Sequence, residues 1–211
     1  MNTTPDSTLP ARLADLERFL ADQSSLLLAF SGGVDSTFLA AVAQRALGDR
    51  LLAVTVEMAA MPARRLAEAR ALASGLGLRH RVVRLDPFAV EGFCRNDMER
   101  CYHCKRAILG MLRRLADEEG IAILADGGNA DDVHDYRPGQ RAVEEMGVIS
   151  PLRKLGWTKA DIRAASRRLK LPTADRPSAA CLASRIPFGE PITPRKLEQV
   201  DRVEAWLEDQ G

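Results

Sequence analysis

The sequence predicts an α/β fold in which a parallel sheet is sandwiched by helices, and two observations carry that expectation. Short apolar runs at Ser25–Phe30 and Leu51–Val56, an alternating polar and apolar run at Arg79–Leu85 and a further predicted strand at Ile121–Ala125 alternate with longer stretches of helical periodicity, the pattern of βαβ units. Glycines punctuate the junctions, as at Ser31-Gly32-Gly33, Gly48-Asp49, and Gly75 with Gly77. A chain of 211 residues, 46% hydrophobic, is long enough to bury such a core.

The elements follow in order. Leu13, Leu16 and Leu20 lie at helical spacing and predict an amphipathic helix over Leu9–Ala21. The continuous run to Phe30 reads as a buried strand, and Val34–Leu47 as the helix after it. Pro62–Ser74 is an alanine- and arginine-rich helix. After Asp86-Pro87 comes a less regular region holding Cys94 and Cys101-Tyr102-His103-Cys104-Lys105, with a helix following to about Glu119. Thr158-Lys159-Ala160-Asp161 reads as a capping box opening a helix that Pro172 ends. Arg176–Pro191 reads as a loop, and Thr193-Pro194 starts a last helix to about Asp209. We expect residues 1–175 to form the main domain. Residues 176–211 are expected to form a cysteine loop and helix, the start of a truncated C-terminal domain.

Composition narrows the function. Thirty Lys and Arg against 29 Asp and Glu leave a net charge of +1, without the basic footprint of nucleic-acid binding. Aromatics are 5%, a poor supply for base stacking. No apolar run approaches the roughly 20 residues of a membrane-spanning helix, and the polar start is no signal peptide. Four cysteines in an ordinary globular composition do not make a disulfide scaffold. A cytoplasmic protein is the expectation.

The most informative stretch is Phe30-Ser31-Gly32-Gly33-Val34-Asp35-Ser36-Thr37, between a predicted strand and helix. Paired glycines let a backbone approach an anion, and the helix N-terminus beyond supplies free N–H groups. Ser31, Ser36 and Thr37 add hydroxyls. The stretch lacks the lysine of a Walker A loop and is not G-x-G-x-x-G. A tight turn alone would explain the glycines, but not three hydroxyls and a carboxylate around them. A second motif, Asp126-Gly127-Gly128-Asn129-Ala130-Asp131-Asp132, follows the fourth predicted strand. Asn129 is placed to orient a phosphate or carboxyl group and Asp132 to hold Mg²⁺. A helix start capped by Asn129 is the other reading, and both can hold together.

The first motif resembles the pyrophosphate loop of the PP-loop ATPases, the adenine-nucleotide α-hydrolase superfamily. That resemblance implies a Rossmann-like fold, ATP cleaved between its α- and β-phosphates, adenine near Val54–Glu57 with Val56 in contact, and Mg²⁺ near Asp35. Further motifs are Asp135-Tyr136-Arg137-Pro138-Gly139, Arg100–Lys105, and Pro177-Ser178-Ala179-Ala180-Cys181-Leu182-Ala183-Ser184-Arg185-Ile186-Pro187-Phe188-Gly189. Together they resemble the LarE-type sulfur transferases of nickel-pincer cofactor assembly, over nearly the whole chain. The resemblance implies a pyridinium bis-carboxylic acid mononucleotide as acceptor, with a carboxyl group adenylated and then converted to a thiocarboxylate. Cys181 matches the sulfur donor, and Arg185 is near enough in sequence to favour its thiolate. A buried cysteine acting as a small hydrophobe is the bland alternative.

Cys101 and Cys104 leave the sulfur source open. In one form of the family Cys181 is sacrificed to dehydroalanine. In another, three cysteines hold a [4Fe-4S] cluster with one open iron, and Cys101, Cys104 and Cys181 would supply them. A zinc site is the competing metal reading, with His103 or Cys94 as an extra ligand. The family usually continues into a small domain whose arginines bind substrate phosphate and help assemble a homo-oligomer. Those arginines are absent here, and Glu204 is a candidate for a remaining part of that site. The rival functions are a tRNA-thiolating PP-loop enzyme, disfavoured by the even charge, and a nucleotide-binding module without transferase activity.

Overall fold

The computed structural model describes residues 8–134, 138–178 and 180–210. Four parallel strands form the sheet: β1 Leu26–Ala29, β2 Leu51–Glu57, β3 His80–Arg84 and β4 Ile123–Ala125. They lie in the order β3-β2-β1-β4. Leu26 sits opposite both Leu51 and Ile123, and a bridge from Ala125 to Ile149 continues the pairing past β4. The predicted fold class and all four strands are found.

Helices connect and cover the strands. α1 (Leu9–Ala21) precedes β1, α2 (Val34–Leu47) joins β1 to β2, α3 (Ala63–Gly75) joins β2 to β3, and α4 (Arg100–Glu118) joins β3 to β4. Then come α5 (Pro138–Glu145), α6 (Pro151–Lys154), α7 (Lys159–Arg168) and α8 (Pro194–Asp209). Leu26, Leu27 and Leu28 are all buried, which is why β1 is apolar at every position rather than alternating. Leu28 and Leu26 face a core with α1, α2 and α7 around Phe38, Trp157 and Ile162. Leu27 faces a second core with α4 and α5 around Leu109, Leu112 and Ala142. A third, smaller cluster of Ala60, Phe93, Leu182, Ile186 and Leu197 lies beneath α8 and the cysteine loop. β3 is an edge strand whose Arg81 and Arg84 are exposed, charges that discourage further pairing.

The strand order sets the position of the site. The chain steps outward from β1 to β2 to β3, then crosses back to place β4 on β1's other side. Such a reversal opens a crevice at the carboxyl ends of β1 and β4. The loops leaving β1 and β4 there are the phosphate loop and the acidic motif.

The structure corrects the sequence in three places. Cys101–Lys105 is not irregular but forms the first turn of α4. That helix starts at Arg100 without a side-chain cap from Glu99, so the usual start signal was missing. α5 and α6 are short helices that the periodicity did not declare, at eight and four residues. The 176–191 loop also contains a turn of 3-10 helix at Leu182–Arg185. The caps are as expected: Thr158 Oγ1 accepts from Asp161 N at 3.2 Å while Asp161 Oδ2 accepts from Thr158 N at 3.0 Å. Asp135, Tyr136, Arg137 and Ala179, which belong to the motifs above, lie outside the described residues.

Candidate active site

The phosphate loop is closed on its own hydroxyls. Ser31 Oγ lies 3.1 Å from Ser36 Oγ and accepts from Gly33 N at 3.3 Å. Ser36 Oγ donates to Gly33 O at 3.3 Å. Gly32 has φ +71° and is pressed so closely by α3 that an added Cβ would lie 3.2 Å from Ala69 Cα. Gly33 caps α2 with backbone only, leaving first-turn N–H groups for an anion. Val34 opens the helix and is buried with Ser36 and Thr37. The strand end is held too: Thr55 Oγ1 donates to Phe30 O at 2.7 Å and lies 2.9 Å from His80 Nε2.

The acidic motif backs directly onto this loop. A Cβ on Gly127 would lie 3.1 Å from Ser36 N and 3.2 Å from Ser36 Cα, so any larger residue would push the two loops apart by a few tenths of an ångström. Asp126 is buried, accepting from Ser150 Oγ at 2.7 Å and Gly128 N at 3.1 Å and pairing with Lys105 Nζ at 3.1 Å. Burial works to raise its pKa, but Lys105, the Ser150 hydroxyl and the Gly128 N–H together hold it below the usual carboxylate value. Asn129 is buried, and its Oδ1 accepts from Asp131 N at 2.9 Å. Asp132 Oδ2 accepts from Asn129 N at 2.9 Å. Both side chains therefore perform the capping role that was one of the two sequence readings. Val56 lies half-buried near the end of β2.

Asp35, in the first turn of α2, forms an ion pair with Lys159 Nζ. Its other oxygen, Oδ1, is buried without a hydrogen-bond partner. An orphaned carboxylate oxygen beside a phosphate loop fits a magnesium ion bound with ATP. Lys159, which the sequence reading saw only as part of a cap, sits beside the phosphate loop.

The cysteine region brings together α4's first turn, which carries Cys101 and Cys104, and the loop that carries Cys181. Cys101 and Cys181 are exposed, while Cys94 and Cys104 are half-buried, and all four are free thiols. Burial pushes the Cys104 thiol up to about 12, and neighbouring Cys181 and Cys101 add to the rise. Cys101 and Cys181 thus each lie within electrostatic reach of Cys104. Among the described residues, however, no three His, Cys, Asp or Glu side chains converge closely enough to hold a metal ion. The thiols are the right kind of donor for a cluster, but they are not arranged as a ligand set. Cys94 Sγ is 3.9 Å from Phe88 O.

What brings Cys181 to Cys101 and Cys104 is a buried polar hub. Asn96, held at φ +53°, donates through Nδ2 to the carbonyls of Pro187 at 2.7 Å and Glu190 at 2.9 Å. Arg100 donates to Asn96 Oδ1 and, at 2.9 Å, to Ala183 O. Arg185 points away to Glu204, with Nε 2.6 Å from Oε1. A groove of about 620 Å³ opens beside them between α3 and α8, lined by Arg64, Arg65, Ser178, Arg185, Val203 and Glu204. Arg176, just upstream, joins the two regions by donating to Gly32 O at 3.3 Å and to Glu68 at 2.9 Å.

A parallel sheet with a glycine-hydroxyl loop and an acidic motif at its switch point defines a PP-loop, ATP-using α/β protein. The NAD synthase family model matches residues 16–100, the phosphate-loop half. An uncharacterised protein of Synechocystis is 39% identical over 96% of this chain and 76% of its own length. The pyridinium-3,5-bisthiocarboxylic acid mononucleotide synthase of Lactiplantibacillus plantarum is 31% identical over 97% of this chain and 75% of its own. A glutamine-hydrolysing GMP synthase component of Methanopyrus kandleri is 28% identical over 98% and 69%. The chain belongs to the LarE-type family, that of the pyridinium-3,5-bisthiocarboxylic acid mononucleotide synthases. Membership supports an ATP-using role of the sulfur-transferase type. Among the described residues no helix is long and apolar enough to cross a membrane.

Proposed function

We propose that the protein is an ATP-dependent sulfur transferase acting on a pyridinium bis-carboxylic acid mononucleotide in nickel-pincer cofactor synthesis. One observation carries the reading. Arg176 ties the segment leading into Cys181 to the carbonyl of Gly32, so the nucleotide loop and the sulfur-bearing loop form one surface. Carboxyl activation and sulfur delivery need that adjacency, because an acyl adenylate released into water hydrolyses.

In the proposed reaction a carboxylate oxygen of the acceptor attacks the α-phosphorus, and pyrophosphate leaves. The first turn of α2 and Ser31 hold the departing phosphates, with magnesium carried by Asp35 and Asp132 supplying charge neutralisation. The Cys181 thiolate then attacks the acyl carbon and AMP leaves, carrying the bond's electron pair. Cleavage of the Cys181 Cβ–S bond by elimination of the α-proton leaves dehydroalanine and a thiocarboxylate. The exposed, unpaired Cys101 and Cys181 support a reducing, cytoplasmic setting.

A second reading of the sulfur source is favoured by the electrostatic coupling of Cys104 to Cys101 and Cys181. A [4Fe-4S] cluster held by these three would supply sulfide and spare Cys181. The test is acceptor-dependent pyrophosphate release followed by intact-mass analysis. ADP as the main nucleotide product sinks the whole reading. Dehydroalanine at Cys181 refutes the cluster, whereas multiple turnovers with unchanged mass and with iron and labile sulfide present refute the sacrificial route.

A further inference from the structure

We propose that Thr55, held in place by His80, is a positioning residue that fixes the peptide unit through which the chain enters the phosphate loop. It acts on the polyphosphate of ATP through that peptide and touches no ligand itself. This rests on the reading of the loop as an ATP site, not on the identity of the acceptor. Pairing of β1 with β2 ends at Ala29 and Val54, and the chain then turns out of the sheet into Ser31-Gly32-Gly33. At that point Phe30 N still donates to Val54 O at 2.8 Å. Phe30 O, by contrast, is taken by a side chain, the Thr55 hydroxyl at 2.7 Å. Thr55 is fully buried, so the bond is shielded from competition with water.

The held carbonyl and the Ser31 N–H belong to one trans peptide unit, in which they point in opposite directions. Fixing Phe30 O toward β2 therefore aims Ser31 N at Ser36 Oγ, 3.3 Å away in the first turn of α2. The same hydroxyl lies 3.1 Å from Ser31 Oγ and donates to Gly33 O at 3.3 Å, so the closure of the loop starts from this plane. A flip of the plane would turn the Phe30 carbonyl, the negative end of the peptide dipole, toward the helix start that receives the anion. The Thr55 hydroxyl holds the plane against that flip.

His80 decides whether that hydroxyl is available. Thr55 has one hydroxyl hydrogen and two neighbours for it, Phe30 O and His80 Nε2, the latter at 2.9 Å. The hydrogen reaches Phe30 O only when the imidazole carries its own hydrogen on Nε2 and donates to Thr55 Oγ1. Burial and the Arg70 charge lower the pKa of His80, so at about pH 7.5 the ring is neutral and has a single hydrogen to place. The ring stands edge-on to Phe30, with centroids 5.8 Å apart and planes at 81°, and this packing keeps Nε2 on the hydroxyl.

The experiment uses the full chain with Thr55→Val, Thr55→Ser and His80→Leu. Magnesium pyrophosphate, magnesium ATP and AMP are titrated calorimetrically, well below each variant's melting temperature, so that only folded protein is counted. Thr55→Val keeps the side chain's shape and loses its hydroxyl, and it should weaken pyrophosphate and ATP by about tenfold. AMP should stay within about twofold, and Thr55→Ser should bring pyrophosphate back to within about threefold. A merely structural hydroxyl would lower the melting temperature and leave the affinities of the folded chain alone. His80→Leu, at a half-buried position, should weaken pyrophosphate by about threefold, and it carries the test if Thr55→Val does not fold. Heteronuclear imidazole spectra of the unaltered chain at about pH 7.5 should show the His80 hydrogen on Nε2. Three results overturn the proposal: valine or leucine variants that bind pyrophosphate like the unaltered chain, an equal loss for AMP that serine does not restore, or a His80 hydrogen on Nδ1. An unaltered chain that binds neither ATP nor pyrophosphate overturns the loop's nucleotide reading and Thr55 with it, a distinguishable outcome.

Discussion

The phosphate loop and the cysteine loop carry the two halves of the proposed reaction, and they are built in opposite ways. The first is locked by close packing: Gly32 against Ala69, Gly127 of the acidic motif against Ser36, and hydroxyls closed on one another. The second is held from outside itself, by the buried hub of Asn96 with Arg100 and by the third core, and leaves Cys101 and Cys181 exposed. Stabilising charge on a leaving pyrophosphate requires donors fixed in advance. Delivering sulfur to an activated carbon requires a thiol that can reach it. The difference follows from those two demands.

The largest expected effect separates the halves completely. Cys181→Ala should abolish thiocarboxylate formation while acceptor-dependent pyrophosphate release persists, because activation precedes sulfur delivery. Parallel assays of the two products check it. Thiocarboxylate from the alanine variant would remove Cys181 from the chemistry.

The rigid half is best broken at Gly127. A methyl there meets the backbone of Ser36 at 3.1 Å and 3.2 Å, which cannot swing aside as a flexible side chain would. Gly127→Ala should cost about 1–3 kcal/mol, as overpacking does. It should also weaken nucleotide binding by about tenfold or more, since the first turn of α2 is what moves. Thermal unfolding and ATP titration check both. Native-like ATP affinity would show that the two motifs need not touch.

The half held from outside is best broken at Asn96. Asn96→Ala removes the bonds to the Pro187 and Glu190 carbonyls and the acceptor for buried Arg100. The expected loss is about 2–3 kcal/mol, with sulfur transfer slowed by about tenfold through misplacement of Cys181. Magnesium pyrophosphate should bind unchanged. Equal damage to both activities would mean that the halves are not separable.

The two regions also differ in how far the sequence disclosed them. The phosphate loop was legible because its chemistry is local: eight consecutive residues hold the glycines, the hydroxyls and the helix start. The strands were legible for the same reason, each a short apolar or alternating run bounded by turn residues. Lys159 was not, because it lies 124 positions from Asp35 and its local pattern, a capping box, already had a sufficient explanation. Asn96 and Arg100 were missed because their partners, the carbonyls of residues 183–190, are backbone atoms that no side-chain pattern encodes. The uncapped start of α4 hid the fact that Cys101 and Cys104 stand one helical turn apart on a rigid element.

That turn of helix supports the last and smallest prediction, which distinguishes thiols within the cysteine region itself. Cys104 packs with Phe93, Leu182 and Ala183 against the third core, and burial with its sulfur neighbours raises its pKa from 9.0 to about 12. In protein stripped of metal by chelation, the thiol therefore stays protonated across the range in which an unfolded cysteine ionises. Because the thiolate is the nucleophile, alkylation of Cys104 by iodoacetamide should stay slow to about pH 10 and rise only toward pH 12. The linkage has a definite sign. Above the unfolded value the unfolded chain sheds a proton that the folded chain keeps, so this group's contribution to stability falls as pH climbs from 9 toward 12. Asn96→Ala should loosen the loop that covers Cys104 and bring its alkylation down to ordinary thiol pH values. Peptide mapping across a pH series measures all of this. Alkylation of Cys104 in the unaltered chain at pH 8, at the rate of an unfolded control, would mean that the cover is not closed. The region would then be looser than its hub implies.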